Sequence, residues 1–394
     1  MLSEEDGGGR VLAPRLGTGG PFSGIFLWDT AFTVLWAKYY VHDLPVENSL
    51  DNLYRLQDED GFIHREYTAD GLPVWPQKHP ISFAPPVLSW AELDLFEVTR
   101  DKERLERIYP HLVSHHRFCV EQFRRDDGLF IGDPWGTGMD NLPRWPQDYK
   151  GEDDCQTVKP DEVHPTVRDW FMGTVYGSIR GGWNEQGRYI DMSAQMALDA
   201  LCLSAIAQLL DRQDDAAYYL LERSAISDVI NERCWSDSLK FYCDLGYGTP
   251  IPRRHIGAYW TLIAGIVPPE RLDPFLAHLE NPNRFDRPVP VPCLSADDRN
   301  YEGDGGYWLG ASWPPTTYMV LRGLQEVGAR DLARRLAKKY VDAIGLALVA
   351  TGTLWENMSA EAPVAGRPAF RDYCGWAGLG PVAIQREFLG GKKE

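Results

Sequence analysis

Apolar positions recur at the spacing of a helix through most of the chain. The clearest run is DMSAQMALDALCLSAIAQLLDR at 191–212, where Met192, Ala194, Met196, Leu198, Leu201, Leu203, Ile206, Leu209 and Leu210 leave few polar interruptions. A helix that is apolar on nearly every side is one that the fold must bury. Its follower, predicted at 214–233, is separated by almost no linker. The same pairing predicts helices at 29–42 with 46–57, 86–99 with 103–125, 256–266 with 269–279, and 314–327 with 329–345, and a last one at 376–388. No alternating run marks a convincing strand. The pairing predicts an all-α fold in which helical hairpins close into a ring, an (α/α) barrel, as one domain over 20–390. No fixed sequence period repeats, which argues against a short-repeat solenoid.

The predicted hairpins are joined by long connections at 58–85, 126–190, 280–312 and 346–375, each rich in Trp, Gly and Pro. Loops of that length in a domain of this kind are functional or disordered, and disordered segments are poor in aromatic residues. Trp75, Trp135, Trp145, Trp170, Trp183, Trp308 and Trp355 therefore favour function. The stretch 147–186 within the second connection is the expected lid. Trp36, Trp90 and Trp260 fall instead inside apolar helical patterns and are expected in the core.

The chain has 394 residues, 44% of them apolar, enough for a sizeable core. Its net charge of −17 argues against nucleic acid or an anionic membrane surface as a partner, because phosphate backbones are bound by clustered Lys and Arg. The start MLSEEDGGGR lacks the charge pattern of a signal peptide, and the apolar run AYWTLIAGIV at 258–267 is too short to span a bilayer. Seven cysteines without a CxxC pair predict reduced, buried thiols in a cytoplasmic protein. The sequence leaves a homo-oligomer open.

Three loop motifs set a carboxylate beside an indole: FLWDTAF at 26–32, DPWGTGMDN at 133–141 and TLWENM at 353–358. An indole face is a platform for the C–H face of a sugar, and a neighbouring carboxylate takes hydroxyl hydrogen bonds or a proton. Cleaving a glycosidic bond needs two carboxyl groups with opposite duties, and Asp140 and Glu356 are the candidate pair. They lie more than half the chain apart, so only a closed fold can join them. Each has a plainer reading alone: Asp140 as a turn cap, Glu356 as a solvated surface acid, and Asp29 as the N-cap of a helix starting at Thr30.

The motifs FLWDTAF, GTGMDNLPRW, YWLGASWPPTTYMVLRGL, WENM and CGWAGLGP follow in that order over nearly the whole chain, from Phe26 to Ile384. In that order they resemble glycoside hydrolase family 63 and its trehalase relatives. The resemblance implies an (α/α)6 barrel, inversion at an α-linkage, Asp140 as general acid and Glu356 as general base. It also implies that Trp28 and Asp29 hold the non-reducing sugar, with Trp313 in the same subsite and Trp376 nearby. The expected substrate-contacting set is Trp28, Asp29, Trp75, Gln77, Trp135, Gly138, Arg144, Tyr307, Trp308, Trp313 and Trp376. In size the chain is similar to the bacterial mannosylglycerate and glucosylglycerate hydrolases of that family. Arg144, Arg180, Arg188, Gln77 and His79 are loop groups able to meet a glycerate carboxylate. Phe22 stands where a tyrosine hydroxyl would suit such an aglycone, and Cys374 where an amide would.

A small-molecule sugar substrate is therefore expected, with no cofactor and no metal. HExxH is absent, and the calcium-loop echo DRNYEG at 298–303 has Leu309 where the bidentate Glu belongs, which excludes an EF-hand and leaves a lone calcium open. His115 and His116 lie in an amphipathic helical pattern and are read as solvated or core side chains. Two rivals stay open: a sugar-binding toroid without turnover, and a lyase or epimerase using His79, His164 or His255 as a proton carrier.

Overall fold

Most helices form where the apolar spacing puts them, although 256–266 is a 3-10 turn followed by the short helix Trp260–Ile263, and their packing closes a ring. A computed structural model of the protein describes residues 12–145, 156, 158–168 and 183–390. The inner helices are α1 (Leu27–Ala37), α3 (Leu88–Thr99), α5 (Ile190–Leu209), α7 (Trp260–Ile263) and α9 (Pro314–Glu326). Each packs on the next, α9 packs on the 3-10 turn Trp376–Leu379, and that turn packs back on α1. An outer layer is built by α2 (Val46–Arg55) on α1, α4 (Lys102–Phe123) on α3 and α5, α6 (Gln213–Arg233) on α5, α8 (Pro269–Leu276), and α10 (Arg330–Thr351) on α9. This is an (α/α)6 barrel.

The inner position of α5 explains its composition. Met192, Ala194, Met196, Ala200, Leu203 and Ile206 are all buried. By length and composition alone this helix would cross a membrane, but nearly all of it is covered by the rest of the barrel. Trp90 and Trp260 are core residues as expected, and Trp36 is half-buried with its indole N–H donating to the Gly375 carbonyl at 2.8 Å.

His115 and His116 are core residues of α4 in opposite protonation states. Burial disfavours charge on His116, but hydrogen bonds to Asp199 at 2.7 Å and Glu222 at 2.9 Å push its pKa up to about 9. His115 accepts the Ile63 N–H at 3.1 Å, and burial pushes it down to about 3.

Four expectations need correction. Asp29 is not an N-cap: α1 starts at Leu27, so Asp29 lies in its first turn, buried. Helix α10 runs to Thr351 and is stopped by Gly352 at φ 72°, a left-handed conformation that glycine adopts without strain. The last segment is a 3-10 turn followed by a π-helix, Gly380–Leu389, in place of a regular α-helix. Of the described cysteines five are buried, while Cys374 is exposed.

Short strands, which the sequence reading lacked, set the loop face. The strands β1 (Ile25–Phe26) and β2 (Glu66–Tyr67) pair antiparallel, with Phe26 opposite Glu66. Two-residue strands β3 (Gly187–Arg188), β4 (Trp235–Ser236), β5 (Phe241–Tyr242), β6 (Leu245–Gly246) and β7 (Thr249–Pro250) brace other connections. Of the expected lid, 147–155, 157 and 169–182 lie outside the described residues, Arg180 with them. The described part brings Thr166 and Val167 to the cavity below.

Candidate active site

The start of α1, the β1–β2 ribbon and several of the long connections line one cavity of about 420 Å3. The β1–β2 ribbon fixes its first wall. The Leu27 N–H donates to the Arg65 carbonyl at 2.9 Å, so the start of α1, with Trp28 and Asp29, sits against Arg65 and Glu66. Arg65 donates to the Trp135 carbonyl and lies 4.6 Å over the Trp75 ring. Glu66 accepts the Trp75 indole N–H at 2.7 Å.

The DPWGTGMDN segment supplies the second wall. The Asp133 carboxylate accepts the Trp135 N–H at 2.9 Å and its carbonyl accepts the Thr137 N–H at 3.0 Å, which coils the segment into consecutive turns. Gly138 has φ 75°, and a Cβ there would stand 2.6 Å from the Trp28 indole. Only glycine lets the backbone lie flat on that ring. Two residues on, Asp140 faces the cavity.

Glu356 arrives from the other side. Ser312 and Met358 exchange backbone hydrogen bonds at 2.8 and 2.9 Å, joining the WENM loop to the chain that carries Tyr307 and Trp313. The Glu356 carboxylate accepts the Phe370 N–H at 3.2 Å and the Tyr307 hydroxyl at 3.4 Å, and its carbonyl accepts the Trp376 indole N–H at 3.0 Å. Tyr373 donates its hydroxyl to Asp29 at 3.3 Å.

Burial in this indole-walled space controls the protonation of the acids. It pushes Asp140 up to about 8; Arg65 opposes the rise, while Asp29, Glu66 and Asp133 add to it. Glu356 also rises to about 8 through burial, held back by the Phe370 N–H and the Tyr307 hydroxyl and raised by Asp140 and Asp29. Asp29 rises to about 7 and Asp133 to about 6, again through burial. The hydrogen bonds that Glu356 accepts favour its charged form, and the acids around Asp140 favour its neutral one.

Of the residues singled out in the sequence, Trp28, Asp29, Trp75, Trp135, Gly138, Asp140, Tyr307, Glu356 and Trp376 line this cavity together. Four others do not. Trp308 and Trp313 are fully buried behind the wall, stacked with ring centres 3.9 Å apart, and the Trp313 indole N–H donates to the Tyr307 carbonyl at 3.2 Å. Gln77 donates to Asp58 and Asp60 at 3.0 Å. Arg144 is buried between Asp191 and Asp244, two acids that hold its charge inside the protein and away from any ligand.

Nor do the other loop groups reach the cavity. Arg188 pairs with Asp127 at 2.9 Å, and His79 accepts the Trp183 indole N–H at 3.1 Å. His164 receives the Thr166 N–H at 3.3 Å, and His255 bonds Asp244 at 3.2 Å. Sequence reading missed Arg65, Glu66 and Tyr373. Their signals were present: an adjacent Arg–Glu pair in the loop leading to Trp75, and a tyrosine just before the CGW motif.

A helical ring whose loop face gathers buried carboxyl groups beneath indole walls is the frame of a glycoside hydrolase. The chain belongs to the mannosylglycerate hydrolase MGH1-like glycoside hydrolase family, whose domain model matches residues 23–362. A protein of Borreliella burgdorferi is 22% identical over 82% of this chain, which spans 61% of that relative's length. The mannosylglycerate hydrolase of one Thermus thermophilus strain is 26% identical over 79% of this chain and 84% of its own. In fold, the chain is similar to the GH63 mannosylglycerate hydrolase of a second strain of Thermus thermophilus in complex with glucose, with TM-score 0.72 at 21% identity over 93% of this chain and 94% of that one.

Proposed function

We propose that the enzyme is an inverting α-glycosidase for a short α-linked glucoside or mannoside, with Asp140 as general acid and Glu356 as general base. Sugars linked to glycerate, the class named for its Thermus relative, are the first candidates. One observation carries the reading: Asp140 and Glu356, from motifs far apart in the chain, line the same indole-walled cavity. The volume suits a disaccharide-sized ligand. Trp28 and Trp376 offer apolar faces to the sugar, and Asp29 takes its hydroxyl hydrogen bonds.

In this mechanism Asp140 gives its proton to the departing glycosidic oxygen while Glu356 takes one from a water attacking the opposite face of the anomeric carbon. Inversion requires about 6.5–9.5 Å between the two carboxyl groups, to leave room for that water. The working state has Asp140 neutral and Glu356 ionised; Asp140 and Asp29 raise the affinity of Glu356 for protons, and the Tyr307 hydroxyl and Phe370 N–H oppose them.

Assays of sugar release from α-mannosylglycerate, α-glucosylglycerate, trehalose and other α-linked disaccharides test the reading. At least one is expected to be cleaved, with an alkaline limb of kcat/KM near pH 8, where Asp140 loses its proton. No release from any of them, or a profile that stays level across that pH, contradicts it.

A further inference from the structure

Asn141 follows the proposed acid, and its side chain turns across to a different part of the chain. Its Nδ2 donates to the Gly306 carbonyl at 2.9 Å and its Oδ1 accepts the Trp308 N–H at 2.8 Å. One amide thus grips the residues on both sides of Tyr307. Tyr307 itself is held at φ 65°, a conformation that costs a non-glycine residue energy and persists only where its surroundings impose it. The Trp313 indole, donating to the Tyr307 carbonyl, is a further restraint. In this pose the Tyr307 hydroxyl meets Glu356.

We propose that Asn141 is a positioning residue: by pinning Gly306 and Trp308 it fixes the Tyr307 hydroxyl on Glu356 and ties the acid's loop to the base's partner. The proposal rests on the reading of Asp140 and Glu356 as acid and base. It explains why an amide stands here. A carboxylate would accept the Trp308 N–H but would turn its second oxygen against the Gly306 carbonyl, and an aliphatic side chain would make neither bond.

The experiment compares Asn141→Ala, Tyr307→Phe and the double variant in kcat, KM and the pH dependence of kcat, after thermal melts establish that each is folded. A hydroxyl donating to a carboxylate favours its charged form, so losing it moves the acid limb, where Glu356 takes up a proton, to higher pH. Each single variant is expected to lower kcat about 10- to 100-fold with KM little changed, and to move the acid limb upward. The double variant is expected to be no worse than the poorer single one, since both act through the same hydroxyl. A normal acid limb in Asn141→Ala, or losses that multiply in the double variant, would overturn the proposal. Should Asn141→Ala not fold, Asn141→Asp is judged by the same outcomes. Glu356→Gln separates the two levels: full turnover in that variant removes the acid–base reading and this proposal with it. An inactive Glu356→Gln beside an unaffected Asn141→Ala overturns only the role of Asn141.

Discussion

Asp140→Asn and Glu356→Gln are each expected to lower turnover by about 10²- to 10⁴-fold, the range that a positioned acid or base contributes. Both substitutions keep the shape of the side chain and remove its ability to exchange a proton. Their effect on stability has a definite sign. Each carboxyl has a folded pKa near 8, above the ordinary carboxylate value, so the folded state binds more protons than the unfolded one across that window. Stability from these groups is therefore full at low pH and is lost as pH rises towards 8. The amide variants carry no such penalty and should melt at or above the native temperature, most visibly at alkaline pH. Thermal melts and kcat measured at the same pH values check both halves. A variant that loses activity because it melts early would leave its catalytic role unsupported, and one with native turnover would refute it.

Arg144→Met is expected to cost about 3–5 kcal/mol of stability, because it leaves two buried carboxylates without their cation. Arg144 bonds Asp191 and Asp244, and Asp244 also accepts the Ile190 N–H at 2.9 Å and bonds His255 at 3.2 Å. The triad ties the loop after the DPWGTGMDN segment to the start of α5. Although burial opposes it, Arg144 with His255 holds the Asp244 carboxyl well below the usual range. That contribution is present above the unfolded pKa and is lost as pH falls through the folded one. Denaturant unfolding measures the loss, and replacing Asp191 and Asp244 by Asn in the same chain should restore much of it. Native stability in Arg144→Met would contradict the structural role and return Arg144 to the set of ligand contacts.

The helices were legible because a barrel wall asks for one thing, an apolar stripe at helical spacing, and α5 carries that signal on almost every face. The ends were less so. The segment 376–389 winds as a 3-10 turn and a π-helix, which apolar spacing does not distinguish from a regular helix. The catalytic candidates were visible as carboxylates beside tryptophans in long loops. Sequence alone did not separate indoles that face the cavity from those behind it: Trp313 and Trp376 stand in equally distinctive motifs, yet only Trp376 lines the space. Arg144 misled for a related reason. A loop arginine looks available until Asp191 and Asp244, distant in sequence, are seen to enclose it.

The proposed roles of Asp140 and Glu356 require inversion, and proton NMR of the first turnovers on an α-linked substrate reads it directly. The β-anomer of the released sugar is expected to appear first and the α-anomer only later, through mutarotation. An α-anomer released first would contradict the assignment of Glu356 as a base acting through water.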